Sequence, residues 1–207
     1  PVVLVKKRDG SWRFCLDFRL LNKVTKPITY PLPRINDAIN CLSGATYFTT
    51  LDLRSGFFQV EMKETDIEKT AFSTVYGLYE FTRMPQGLSN SSSTFQRVMD
   101  CIMAGLQYEC LIVYLDDLIV FGKTYDEHLG RLKEVMDRLK KANMKLSPKK
   151  CHFIKTKVSY LGHVVSQGSI QPHPDKVRAI TQYPTPTNVK ELRQFVGLAS
   201  YYRRFVR

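Results

Sequence analysis

The chain has 207 residues, of which 43% are hydrophobic, and a formal net charge of +12. Its length suits one domain, or one domain with a small appendage, and its apolar content excludes a disordered polypeptide. No apolar stretch approaches the ~20 residues of a membrane span, so no membrane partner is expected. The charge is unevenly placed. Residues 1–117 hold 13 Lys/Arg and 13 Asp/Glu, whereas residues 118–207 hold 18 basic and 6 acidic side chains and carry the whole excess. A balanced half joined to a basic half suits a polyanionic partner, against the plainer alternative of a solvated basic face. Cys15, Cys41, Cys101, Cys110 and Cys151 are odd in number and lack metal-ligand spacing, which points to free thiols in a reducing compartment. Pro1 to Val5 reads as the inside of a strand, so the chain is expected to be a segment of a larger polyprotein.

In chain order, Val2 to Lys6 and Trp12 to Phe18 read as strands joined by the Asp9-Gly10 turn. Prolines 27, 31 and 33 mark an extended crossing segment. A short helix is expected from Ile35 to Leu42, stopping at Gly44, and then a strand from Tyr47 to Leu51. Asp66 to Lys69 suits one helical turn. Thr70 to Thr74 and Leu78 to Thr82 suit a hairpin around Tyr76-Gly77. After the loop Met84-Pro85-Gln86-Gly87, Ser91 or Ser92 caps a helix to about Leu106, with Phe95, Val98, Met99, Ile102, Met103 and Leu106 on one stripe. Leu111 to Val113 and Leu118 to Phe121 read as buried strands. Thr124 to Glu127 is a capping box opening a helix to about Asn143, with Leu129, Leu132, Val135, Met136 and Leu139 inward and His128 on the surface. Short strands at 151–154, 159–161 and 163–165 follow, then helices starting at Pro174-Asp175 and at Thr187-Asn188, the second running to the C-terminus. The order predicts an α+β fold, an antiparallel sheet backed by helices, with a boundary near Gln171 to Pro174.

Tyr114-Leu115-Asp116-Asp117 carries the chemistry. Two adjacent carboxylates sit in the bend between two apolar strands, where burial is costly unless a cation neutralises them. Asp52, at the end of the Tyr47 strand, is a third acid in the same setting. Hard oxygen ligands suit divalent cations, and three such acids on neighbouring strands suit a two-ion site for phosphoryl transfer.

Five motifs in order resemble a reverse transcriptase of the gypsy type of long-terminal-repeat retrotransposon, with retroviral enzymes as relatives. They are Trp12 to Arg19, Leu51-Asp52-Leu53, Met84 to Leu88, Tyr114 to Asp117, and Leu161-Gly162-His163. The resemblance implies the right-hand polymerase fold, with partial fingers at 1–30 and 62–85, a palm at 31–61 and 86–165, and the start of a thumb at 166–207. It implies that Asp52, Asp116 and Asp117, with the Leu53 carbonyl, hold two Mg²⁺ ions, Mn²⁺ being an acceptable substitute. Lys7 and Arg13 would grip the triphosphate of a dNTP, with Ser55 and Gly56 offering backbone N–H groups. Phe57 would lie under the deoxyribose, and Gln86 near its 3′ position, where gypsy-type relatives often carry an aromatic residue. Tyr114, Leu161, Gly162, His163, Arg203 and Arg204 would meet the primer and template.

The implied activity is RNA-directed DNA polymerisation on RNA or DNA templates. Implied partners are an RNA template, a DNA primer/template, dNTPs, and RNase H and other segments of the parent polyprotein. The implied location is the cytoplasm, in an element particle, with the nucleus second. Two alternatives stand beside this reading. One is a catalytically silent nucleic-acid-binding subunit, against which the three intact aspartates count. The other is an RNA-dependent RNA polymerase, against which Phe57 counts.

Overall fold

The structure, a computed structural model, describes residues 2–6, 10 and 12–206. Strands β1 (Val2–Lys6) and β2 (Trp12–Leu16) form an antiparallel ribbon. Its connecting turn lies outside the described residues except for Gly10, which takes φ 82°. Helix α1 (Arg19–Val24) follows where no helix is evident in the sequence. It has no side-chain cap, and it leaves Leu20 and Val24 in solvent, so it carries no amphipathic signal. Asn22 of α1 instead ties down the next motif: its amide donates to the Gly87 carbonyl (2.9 Å) and accepts from Ser89 N (2.8 Å).

Helix α2 (Ile35–Cys41) leads into β3 (Tyr47–Asp52). After a short 3-10 turn over Gly56–Gln59 come the single turn α3 (Glu64–Ile67) and the hairpin β4 (Phe72–Thr74) and β5 (Gly77–Tyr79). That hairpin is shorter than expected at both ends, because Thr70 ends a 3-10 turn and its hydroxyl accepts from Phe81 N. Helix α4 (Ser91–Ile102) stops a turn before Leu106. Its N-cap is Asn90 rather than a serine, and the Ser91 hydroxyl donates to the Pro85 carbonyl. Then come β6 (Leu111–Tyr114), β7 (Asp117–Gly122) and α5 (Tyr125–Lys141), the last opened by the expected Thr124/Glu127 capping box. Strands β8 (His152–Lys155), β9 (Lys157–Tyr160), β10 (His163–Ser166) and β11 (Ser169–Pro172) follow. Helices α6 (Pro174–Thr181) and α7 (Val189–Ser200) end the regular structure, and α7 gives way to a 3-10 turn at Arg203–Phe205 instead of running on.

The central sheet has the order β6-β7-β3-β8, antiparallel throughout. Side chains alternate across it, as a period of two requires. Leu51, Leu111, Val113, Leu118 and Val120 face a core completed by Phe95 and Met99 of α4 and Leu132, Val135 and Leu139 of α5. Phe48, Ile112, Ile119 and Phe121 face a second core with Ala38 and Leu42, Val158 and Val165. Both faces are covered, which is why these strands read as continuous apolar runs. The α+β expectation holds.

Helix α5 departs from its expected face. His128 is wholly buried, whereas Leu129 and Met136 are 45% and 37% exposed. The cause is a close approach of helix to strand: a Cβ on Gly122 would lie 2.9 Å from His128 Cα. The imidazole then meets Thr49, with 2.8 Å between Nε2 and Oγ1, and burial holds its pKa below the ordinary value.

Candidate active site

The register of the central sheet places Asp52 opposite Asp117, and Tyr114 opposite Asp117 on the other side. Leu115 and Asp116 form the two-residue turn of the β6–β7 hairpin. Leu115 takes φ 53°, the positive value that such turns need at their first central position. All three acids therefore stand at one end of one sheet.

Their electrostatics are unsettled. Oδ1 of Asp116 is buried with no hydrogen-bond partner. Burial, then the charges of Asp117 and Asp52, push the Asp116 pKa up to about 6, with Lys150 opposing. Asp117, whose side chain still reaches solvent, is raised as well, by partial desolvation first and then by the charge of Asp52. Lys150 reaches Asp52, with Nζ 3.3 Å from Oδ2. Among the described residues, no three His, Cys, Asp or Glu side chains are already gathered round one point. The donor chemistry nonetheless fits a divalent cation: three carboxylates share a sheet end, and one oxygen is buried and unsatisfied.

The segment after β3 closes over this corner. Ser147 N donates to the Asp52 carbonyl and Arg54 N to the Lys145 carbonyl, flanking the bridge from Leu53 to Leu146. Gln59 adds a stitch, donating to the Arg54 and Lys145 carbonyls and accepting from Lys145 N. Ser55 turns the chain through φ 51°, and Gly56 then lies against Asp116. A Cβ on Gly56 would sit 2.5 Å from Asp116 Oδ1 and 2.9 Å from Phe95 Cζ, so only glycine fits without displacement. Phe57 is half-buried, its ring 5.1 Å from that of Phe95. Gln86 is half-buried in the loop before α4, and Tyr114 is half-buried on β6. Lys7 and the Arg13 side chain lie outside the described residues. The Arg13 backbone pairs with Val5.

A cleft of about 240 Å³ adjoins the acids, lined among others by Asp52, Asp117, Lys150, Tyr160, Leu161 and Gly162. It brings the Leu161-Gly162-His163 turn beside Asp52 and Asp117. Leu161 takes φ 44° and Gly162 φ 73°. Their carbonyls accept from the Tyr201 hydroxyl (2.7 Å) and the Tyr202 hydroxyl (2.9 Å). His163 is 1% exposed, donates Nδ1–H to the Leu161 carbonyl, and packs among Tyr201, Tyr202 and Phe205. Its ring therefore supports the turn from within. Arg203 and Arg204 are exposed beyond it, and Arg204 donates to Asn40 Oδ1.

Three contributors escaped the sequence reading. Lys150 lies 98 residues from Asp52, and Tyr160 donates its hydroxyl to the Asp117 carbonyl from a strand of another sheet, so neither has a local signal. Gln96 is wholly buried and accepts from Leu115 N at 2.8 Å. Its signal was present: an amide beside Phe95, on the apolar stripe of α4, with Asp100 one turn on.

A family model described as reverse transcriptase (RNA-dependent DNA polymerase) matches residues 5–165. The chain is similar to the retrovirus-related Pol polyprotein from transposon opus of Drosophila melanogaster, at 47% identity over all of this chain and 21% of the relative. It is also similar to that from transposon gypsy of the same fly, at 44% identity over 94% of this chain and 19% of the relative. It thus spans about a fifth of the length of these curated relatives. Among solved structures, the foamy viral protease-reverse transcriptase dRH in complex with double-stranded DNA matches with a TM-score of 0.90 at 28% identity, over 98% of this chain and 36% of that one. The foamy viral protease-reverse transcriptase in complex with an RNA/DNA hybrid matches with a TM-score of 0.83 at 28% identity, over 98% of this chain and 27% of that one. The right-hand polymerase fold follows from this match.

Proposed function

The chain belongs to the reverse transcriptase family, and on that premise we propose that it extends a DNA primer with dNTPs on an RNA or DNA template. One observation carries the proposal: Asp52 and Asp117 stand opposite each other at a sheet end, beside an Asp116 whose buried oxygen has no partner. The reaction joins the primer O3′ to the α-phosphorus of a dNTP, breaks the bond from that phosphorus to the β-phosphate oxygen, and releases pyrophosphate. Asp52, Asp116, Asp117 and the Leu53 carbonyl would hold two divalent ions, Mg²⁺ or Mn²⁺. Such ions, when bound, ease deprotonation of the 3′-hydroxyl and neutralise charge on the leaving pyrophosphate.

The chain's own residues position the reactants. Lys7 and Arg13 grip the triphosphate, Arg as a fork and Lys as a point charge. Ser55 and Gly56 direct backbone N–H groups toward the same phosphates. Phe57, steadied by Phe95, lies under the deoxyribose and leaves no room for a 2′-hydroxyl, with Gln86 near the 3′ position. The turn at Leu161–His163 guides the primer end across the cleft, with Tyr114 beneath it, and Arg203 and Arg204 meet phosphates further along. In this reading 1–30 and 62–85 are fingers, 31–61 and 86–165 palm, and 166–207 the start of the thumb. RNase H and other polyprotein segments would complete the parent protein, working in a cytoplasmic element particle and secondarily in the nucleus.

The test is Mg²⁺-dependent extension of a DNA primer on an RNA template, beside an Asp116→Asn/Asp117→Asn control. Extension by the parent alone is expected. Template binding without extension would favour a silent binding subunit. Phe57→Ala should raise ribonucleotide relative to deoxynucleotide incorporation, and an unchanged ratio would remove Phe57 from its role.

A further inference from the structure

A buried amide is costly unless its donors and acceptor are engaged, because nothing in the core replaces the water it gave up. Gln96, on α4, is wholly buried between the core and the acidic turn, and every part of its amide is used. Oε1 accepts from Leu115 N (2.8 Å), while Nε2 donates to Asp100 Oδ1 (2.9 Å) and to the Val113 carbonyl (3.2 Å). The second oxygen of Asp100 accepts from the hydroxyl of Tyr30 (2.7 Å), in the extended segment before α2. A chain of side chains thus runs from that segment to the backbone of the residue preceding Asp116.

Two features give this chain a purpose beyond packing. First, Leu115 is in the left-handed region at φ 53°, which costs a branched residue about 1 kcal/mol or more and persists only where its surroundings impose it. The bond to Gln96 falls on the amide of that strained residue. Second, a carboxylate and a carbonyl can only accept, so Asp100, at the shorter distance, and the Val113 carbonyl together dictate which end of the Gln96 amide is nitrogen. The oxygen is then the end presented to Leu115 N. Without Asp100 that orientation rests on the longer bond to the Val113 carbonyl, and a turned amide would set its NH₂ against the Leu115 N–H donor to donor.

We propose that Gln96 is a positioning residue for the acidic turn, setting where Asp116 and Asp117 stand, and that Asp100 and Tyr30 fix its orientation. The proposal rests on the reading of these aspartates as the metal-binding acids. It assigns Gln96 no contact with substrate: its effect passes through the Leu115 backbone.

A charge-swap cycle in the intact polypeptide that carries this chain tests it. Gln96→Glu keeps an acceptor for Leu115 N but sets a carboxylate against Asp100 and against the Val113 carbonyl. Asp100→Asn supplies an NH₂ to that new carboxylate and an oxygen for Tyr30, so the double variant rebuilds the path from Tyr30 to Leu115 N, while the Val113 carbonyl keeps Gln107 Nε2, at 3.4 Å, as its side-chain donor. We expect Gln96→Glu to lower kcat about 10- to 100-fold, the range for residues that orient metal ligands, and to raise the half-saturating Mg²⁺ concentration, with primer/template Kd unchanged. Asp100→Asn should cost a few-fold, and the double variant should recover most of the loss of Gln96→Glu in both kcat and Mg²⁺ dependence, short of the parent by the lost bond to the Val113 carbonyl. Additive losses, or a fall in melting temperature with the Mg²⁺ dependence unmoved, would overturn the proposal. If Gln96→Glu does not fold, Tyr30→Phe carries the test: it deletes one distal hydroxyl and should still shift the Mg²⁺ dependence, and no shift overturns the proposal. Asp116→Asn separates the two levels. Its full activity would sink the metal-site reading itself, whereas a dead Asp116→Asn beside an additive cycle would sink only the role of Gln96.

Discussion

The turns at Leu115–Asp116 and Leu161–Gly162 are built alike and finished differently. Each puts a leucine in the left-handed region, and they lie close enough for the second to line a cleft with Asp52 and Asp117. In the second turn both carbonyls are taken by tyrosine hydroxyls, and His163 is enclosed by three aromatic rings. In the first, the backbone is pinned by Gln96 while Asp116 keeps a buried oxygen with no partner and a pKa lifted to about 6. Each turn thus buries one unpartnered polar atom, Nε2 of His163 and Oδ1 of Asp116, but burial favours the neutral imidazole by lowering its pKa, whereas the carboxyl stands beside two further acids, a setting that a cation would relieve.

The largest effects are expected at the acids. Asp52→Asn or Asp116→Asn should reduce primer extension on the order of 10³-fold, since charge stabilisation by a bound ion is worth several kcal/mol and each 1.36 kcal/mol is tenfold. Single-turnover extension rates would show it, and a loss under tenfold would contradict the assignment. Gly56→Ala comes next. Its Cβ would lie 2.5 Å from Asp116 Oδ1 against a buried ring, so the turn must shift, costing about 1–3 kcal/mol in thermal unfolding and about tenfold or more in extension. Unchanged melting and activity would mean that the corner is loose.

The Asp116 pKa is raised from 3.8 to about 6, so its protonated form stabilises the fold fully below about pH 4, and that contribution is lost as pH rises through 6. In metal-free protein, Asp116→Asn should therefore gain melting temperature relative to the parent as pH rises from 4 to 7. The gain corresponds to about 1–2 kcal/mol, because the partly exposed carboxyl is screened by water. A difference that is flat with pH would contradict the buried, unsatisfied state of this group. The turn held by the two tyrosine hydroxyls should respond least. Tyr202→Phe removes one hydrogen bond to the Gly162 carbonyl and should cost about 1 kcal/mol of stability, with primer binding weakened and the Mg²⁺ dependence unmoved. A shifted Mg²⁺ dependence would erase the distinction between the turns.

Much of the acidic site was legible because it is written in contiguous apolar runs. Leu111 to Val113, Leu118 to Phe121 and Tyr47 to Leu51 declared themselves as buried strands, and Asp52, Asp116 and Asp117 stood at their ends. The parts that stayed hidden depend on distant approach. Nothing near Lys150 points to Asp52, and the surface expected for His128 became core only because Gly122 lets α5 close onto the sheet. Helix α1 was hidden for another reason: with Leu20 and Val24 in solvent and no capping side chain, it lacks the pattern by which helices are read.

The most direct test of the central claim is a Mn²⁺ titration followed by electron paramagnetic resonance, with primer/template and a non-hydrolysable dNTP present, comparing the parent with Asp116→Asn and Tyr202→Phe. If the aspartates hold the metals, the parent and Tyr202→Phe bind two ions tightly and Asp116→Asn loses tight binding. Equal binding in the parent and Asp116→Asn would contradict that role.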